Sequence, residues 1–231
     1  MSAALIGRLF EGALYTLYLT LGGAALGLVF AFAAGLARVA DSRVLGGIGF
    51  VYIEFFRGAA VIVLAFWFVY ALPSLGWQLA PLWAGVLALA LNIGAYGAEV
   101  VRGAIKAVPA AQLEAATALN FSRGQRMWRV VLPQAFVAMV PPFTNNLIEL
   151  LKASAVVSVV SIPELTLNGQ LVRNGTQQSA LVFGGLLIGY GVIALVFIVL
   201  MRVVEFRAAA SVGRQPEPGI FTRMWRSGVR A

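Results

Sequence analysis

The chain has 231 residues, of which 61% are hydrophobic and only 11% charged. Ordinary globular domains are about 45–50% apolar and about 25% charged, so too few polar groups remain to clothe a water-facing surface, and a soluble domain is excluded. The net charge of +8 taken alone points to nucleic acid or an anionic membrane surface; the hydrophobicity decides for the membrane.

The chain contains no Cys and no His. That removes disulfides, thiol nucleophiles, zinc sites of the usual ligand type and a Ser-His triad, so no metal and no cofactor are expected. The only lysines are Lys106 and Lys152, and neither follows a glycine. A P-loop needs that Gly-Lys pair, so no phosphate cradle is expected either.

A bilayer core of about 30 Å needs about 20 apolar residues per helix. Residues 12–37 carry no charge and form the first expected span. Residues 58–98 are also charge-free, but Pro73, Gly76, Trp77 and Pro81 mark a turn at an interface. The second and third spans are therefore placed at 51–72 and 82–101. The longest polar stretch follows, with Arg102, Lys106, Glu114, Arg123, Arg126 and Arg129. A fourth span at 135–160 carries Pro141, Pro142, Glu149 and Lys152. Residues 161–178 are polar and mixed, and a fifth span occupies 179–201. One membrane domain over 1–205 is expected, then a basic, irregular tail over 206–231 that contains Pro216 and Pro218.

With the N-terminus outside, 14 of the 17 basic residues fall in the first loop and its flank, the long loop and the tail. Cytoplasmic segments carry the excess of Lys and Arg. The expectation is an all-α membrane protein of five spans, N-terminus periplasmic and C-terminus cytoplasmic. No tandem period is visible, and five spans do not divide into the inverted halves typical of secondary transporters.

Residues 109–133 read as two short helices joined by a turn. Pro109 suits a first helical turn, and Asn120 can take the left-handed conformation that ends a helix. Ser122 and Gln125 have the spacing of a capping box, and Pro133 is expected to stop the second helix. Such a hairpin either lies on the bilayer or docks a cytoplasmic partner.

Glu114-Ala115-Ala116, the turn residue Asn120 and Val130-x-Leu132-Pro133 resemble the EAA loop of ABC importer permeases, with every spacing matched. Asn120 replaces the usual Gly, and Val130 the usual Ile. Tyr52-Ile-Glu54-Phe-Phe-Arg57-Gly58, Asn92 through Ile105, Ile148 through Lys152 and Glu164-Leu165 resemble the polar-amino-acid members of that family. The resemblance covers about residues 12–205. It implies a type I permease fold and a multi-pass inner-membrane subunit that does not itself hydrolyse ATP. Glu114, Ala115, Ala116, Asn120, Leu132 and Pro133 would contact a cytoplasmic ABC ATPase dimer. It also implies a second permease subunit, an external solute-binding protein, surrounding lipid and no role for nucleic acid.

Glu54/Arg57, Glu99/Arg102 and Glu149/Lys152 are each acidic-x-x-basic, so each pair shares a helix face. The first two are placed at cytoplasmic span ends, as anchors or as gating pairs. Glu149 and Lys152 sit deeper, where charges face a bundle interior or a cavity; a substrate path and a buried structural pair both fit. Asn92, Ser154 and Ser158 join the candidate path, although mid-span Asn and Ser also bond neighbouring backbone. The family commonly continues its Lys with Asp-Thr-Ser. Here Ala153 replaces the Asp, which argues against a strongly cationic substrate. Wording around Asn92–Arg102, Asn120 and Pro141-Pro142-Phe143 resembles ectoine and hydroxyectoine permeases. Glutamate, glutamine or an opine is the alternative solute, and an ATP-independent channel or secondary transporter the alternative class.

Overall fold

A computed structural model of the chain describes residues 3–211. Among these residues every regular element is helical. α1 (Ala3–Val39) has 37 residues, about 55 Å at 1.5 Å per residue. It exceeds the hydrocarbon core and covers the first expected span. α2 (Arg43–Gly58) starts where the Ser42 side chain accepts from the Leu45 N–H. After Ala59 and Ala60 the chain turns by 100° into α3 (Val61–Phe66), a π turn (Trp67–Ala71) and α4 (Leu72–Ser74). The second span placed at 51–72 is thus corrected: it straddles a sharp break, and its helix begins earlier, at Arg43.

Gly76 takes φ +88° in the turn that follows, a conformation open to glycine at little cost. α5 (Pro81–Lys106) then begins on its proline and covers the third expected span, 82–101. α6 (Ala110–Ala118) and α7 (Arg123–Arg126) make the helical hairpin. Pro133 does not stop the second helix. A π turn (Met127–Val131) leads directly into α8 (Leu132–Ser154), so the second arm of the hairpin and the fourth span are one continuous rod, Arg123–Val160. Both π turns lie immediately before a Leu-Pro pair, and each closes with an i→i−5 bond, Leu72 N–H to Trp67 O and Leu132 N–H to Met127 O. A proline ring collides with the carbonyl four residues back in a regular helix. One wider turn moves that carbonyl aside and lets the helix proceed.

α8 narrows into a 3-10 turn (Ala155–Val160) that ends at Ser161 with φ +61°. The polar segment 161–178 contains an unforeseen helix, α9 (Leu165–Thr176). α10 (Ser179–Ser211) is the last span. It continues past residue 205, where the tail was expected to begin. Residues 212–231 lie outside the described residues.

α5 is the most enclosed of the long helices and α10 the least. α1 packs along α5 through a seam of small residues. A Cβ on Gly27 would stand 2.7 Å from Ile93 Cγ2, and one on Gly35 would meet Val101 Cβ at 2.7 Å and Ala98 O at 2.9 Å. Membrane helices lack a hydrophobic drive toward each other, so close backbone approach through small residues is how they gain contact. Three apolar clusters result, the smallest of them Ala34, Ile53 and Ala98 where α1, α2 and α5 meet; the other two are larger. One joins Leu19, Leu64, Leu89, Leu150, Val157 and Ile162. The other joins Val101, Ile105, Val108, Val131, Ala135 and Met139, next to the hairpin.

Candidate functional site

The hairpin 109–133 forms as its residues require. Asn120 has φ +58°. Its N–H donates to Thr117 O, and the Phe121 N–H donates to Ala116 O. Together these satisfy the last carbonyls of α6 in a Schellman closure. At the start of α7 the Ser122 hydroxyl accepts from the Gln125 N–H at 3.3 Å, while Gln125 Oε1 accepts from the Ser122 N–H at 2.8 Å. This is the capping box. Arg126 ties the arms by donating to Thr117 Oγ1 at 2.8 Å, and Arg123 pairs with Asp41 in the α1–α2 turn.

Glu114, Ala115 and Asn120 are exposed, whereas Ala116 is buried. Leu132 is half-buried and Pro133 exposed. Glu114 falls in the second turn of α6, since that helix begins at Ala110. The helix dipole, which fades beyond the first turn, therefore does little for its carboxylate. With Ala110, Leu113, Thr117, Ala118 and Arg126, Glu114 lines an open concavity of about 520 Å³. Small side chains, one free carboxylate and one tethered guanidinium make a surface suited to a helix-binding groove on another protein.

The second feature is the face of α8. Met139, Val140, Leu150 and Leu151 are buried, whereas Asn145, Glu149 and Lys152 are exposed at i, i+4 and i+7. Lys152 Nζ donates to Glu149 Oε1 at 2.7 Å, with side chains 63% and 66% exposed. The pair forms as its spacing implies, but this chain alone does not bury it. The neighbouring serines point elsewhere. Ser154 is sealed and donates to Leu151 O at 2.7 Å, and Ser158 is also buried.

Asn92 turns toward the break in α2. Its Nδ2 donates to Phe56 O at 2.8 Å and to Ala59 O at 3.1 Å. Tyr52 donates to Leu91 O at 2.9 Å, and the Arg57 guanidinium lies 5.6 Å from the Tyr96 ring centre. Glu54 and Arg57, 3.9 Å apart, therefore lie near the C-terminal end of α2 beside the middle of α5. They are not at a span end, a correction that follows from the early start of α2. Arg102 and Glu99 make the closest of these pairs, 2.6 Å apart and partly buried.

Sequence reasoning passed over Glu164 as a site residue. It is 0% exposed, and it joins three helices, α1, α9 and α10, through Thr16, Leu167 and Tyr190. The one signal available was a lone carboxylate in an otherwise uncharged stretch, Ala153–Val172.

Residues 8–210 match the family model described as "Binding-protein-dependent transport system inner membrane component". The chain is 45% identical over 206 residues to a probable amino-acid ABC transporter permease protein of Sinorhizobium fredii, covering 87% of each chain. It is 33% identical to the glutamine transport system permease protein of Escherichia coli, covering 87% of this chain and 93% of that one. A crystal structure of an amino acid ABC transporter with histidines superposes with a TM-score of 0.81 at 30% identity, covering 87% of this chain and 94% of that one.

Proposed function

The chain belongs to the binding-protein-dependent transport system inner membrane components, as a permease subunit of an amino-acid ABC importer with the type I permease fold, and on that premise we propose that the open face of α8 lines the route of a zwitterionic solute. The observation that carries this reading is the polar stripe Asn145, Glu149 and Lys152, exposed on a helix long and apolar enough to span. Lipid rejects such a stripe, so it faces water or a second subunit. A carboxylate and an ammonium one turn apart offer both signs to a molecule that carries both.

Residues 109–133, with Glu114, Ala115, Ala116 and Asn120 foremost, receive a cytoplasmic ATPase dimer. Closure of the ATPases on ATP draws paired hairpins together and rocks the spans between outward and inward access. The second arm of the hairpin is continuous with α8, so displacement at Glu114 passes through the Asn120 turn and the Arg126–Thr117 bond to the rod that carries Lys152. A second permease copy or sibling completes the path, and an external binding protein delivers solute. The N-terminus lies outside and the C-terminus inside, as the bias of basic residues implies.

Ectoine or hydroxyectoine is the solute favoured by the wording around Asn92, Tyr96, Asn120 and Pro141, and Ala153 suits a solute without strong positive charge. Glutamine is the second reading, supported by the 33% identity to a glutamine permease. Reconstitution with the ATPase and binding protein tests both. ATP-dependent uptake of labelled ectoine, outcompeted only weakly by glutamine and arginine, is expected. Uptake of glutamine in preference moves the chain to the second reading, and solute flux from the permease alone without ATP rejects the importer.

A further inference from the structure

We propose that Glu164 is a positioning residue for transport: a sealed carboxylate that binds α1, α9 and α10 into one fixed frame at the end of α8 remote from the hairpin. The proposal rests on the permease reading above.

The hydrogen bonds around Glu164 run in one direction. Oε1 accepts from the Leu167 N–H at 2.9 Å, which caps α9. Oε2 accepts from the Tyr190 hydroxyl of α10 at 2.5 Å and from the Thr16 hydroxyl of α1 at 3.5 Å. Tyr190 has a single hydrogen and gives it to the carboxylate, so the Thr166 hydroxyl, 2.9 Å away, donates to Tyr190 in turn. Thr16 also accepts from the Leu165 N–H at 3.1 Å. No ion pair to Glu164 occurs among the described residues, so hydroxyls and a helix N-terminus are its polar partners.

A cap alone does not require this residue. Ser, Thr, Asp or Asn caps a helix as well. The longer Glu caps α9 with one oxygen and holds the other out to α1 and α10. Close packing supports the same joint. A Cβ on Gly12 of α1 would stand 2.9 Å from Leu165 Cα, and one on Gly169 of α9 would stand 2.6 Å from Leu186 of α10.

The position in the chain gives the joint its role. Between Lys152 and Glu164 the helix narrows to a 3-10 turn and breaks at Ser161. That turn packs on Leu64 and Ala65 of α3, just past the break in α2. Two interrupted helices therefore meet beside the frame, and interruptions are where hinged motion is absorbed. Glu164 fixes the far end of the moving rod, so that force from the ATPase bends the breaks instead of shifting α9.

The test uses the permease–ATPase complex in lipid nanodiscs, with ATP hydrolysis measured with and without the binding protein. Tyr190→Phe and Thr16→Val each remove one strut at nearly constant volume, and Glu164→Gln replaces one of the two acceptor oxygens with a donor amide. The inference expects intact complexes whose basal hydrolysis rises about fivefold and whose stimulation by the binding protein falls, because the rod no longer waits for that signal. Basal and stimulated rates at wild-type values in Tyr190→Phe and Thr16→Val overturn it. So does a loss confined to complex yield, with the ratio of rates unchanged, which is the mark of a purely structural cap. A wild-type chain that binds no ATPase overturns the permease reading itself, and the inference with it.

Discussion

The Asn92 side-chain amide of α5 donates to the Phe56 carbonyl of α2 at 2.8 Å, and the same nitrogen reaches Ala59 O at 3.1 Å. Both acceptors lie at the break where α2 ends and the chain turns by 100°. Helix ends leave carbonyls without partners, and hydrocarbon offers no water to replace them. Asn92 thus makes the break tolerable inside a membrane protein. Asn92→Leu keeps the bulk and removes the donor. It should lower stability by about 1–3 kcal/mol, the usual cost of an orphaned buried polar group. Thermal unfolding of the purified permease checks this. An unchanged midpoint with a raised KM would instead place Asn92 on the solute path.

Gly35→Ala and Gly47→Ala should differ in sign. A Cβ at Gly35 meets Val101 Cβ at 2.7 Å and Ala98 O at 2.9 Å, whereas one at Gly47 meets nothing within 4 Å. The first forces α1 away from α5 and should cost about 1–3 kcal/mol. The second only removes a helical glycine and should gain about 0.5–1 kcal/mol. The same unfolding assay separates them, and equal shifts would refute the seam.

Glu149→Gln and Lys152→Gln should leave folding alone. A pair this exposed contributes about 1 kcal/mol or less, so insertion and yield should stay normal for each single variant and for the double. The effect should appear in transport, as a KM raised about tenfold, equivalent to about 1.4 kcal/mol of binding. Loss of protein in the single variants, relieved in the double, would show that a second subunit buries the pair.

Asn120 holds φ +58° with both Schellman bonds in place. Asn120→Gly should keep full transport, since glycine takes this conformation freely. Asn120→Val should cost about 1–2 kcal/mol locally and misdirect α7, with transport lost before the permease unfolds. Uptake per unit of permease measures both.

The long spans and the hairpin were legible because their causes are local. Apolar run length marks α1, α5 and α10, while Asn120, Ser122 and Gln125 carry their turn and cap in their own chemistry. The breaks were not legible. Arg57-Gly58 has the composition of a helix end, but at the head of a charge-free apolar run it does not announce a 100° turn, because the carbonyls freed at Phe56 and Ala59 are satisfied by Asn92, which is remote in sequence. Pro133 misled for the opposite reason: a local rule ends the helix there, and a single π turn evades it. Glu164 looked like one more polar residue in a loop because its partners, Thr16 and Tyr190, are brought to it only by the packing of α1 and α10. The ion pairs were readable as pairs, but their depth depended on where α2 begins.

Residues 109–133 pass the ATPase stroke to α8, and Glu114→Lys is the sharpest probe of that transfer. Glu114 is exposed, so reversing its charge leaves the bundle intact. The measurement is ATP-driven uptake in liposomes containing the variant permease, its ATPase and its binding protein, normalised to the permease inserted. The account predicts normal insertion with uptake abolished and the ATPase no longer retained on the purified permease. Wild-type uptake with the ATPase still bound would contradict it.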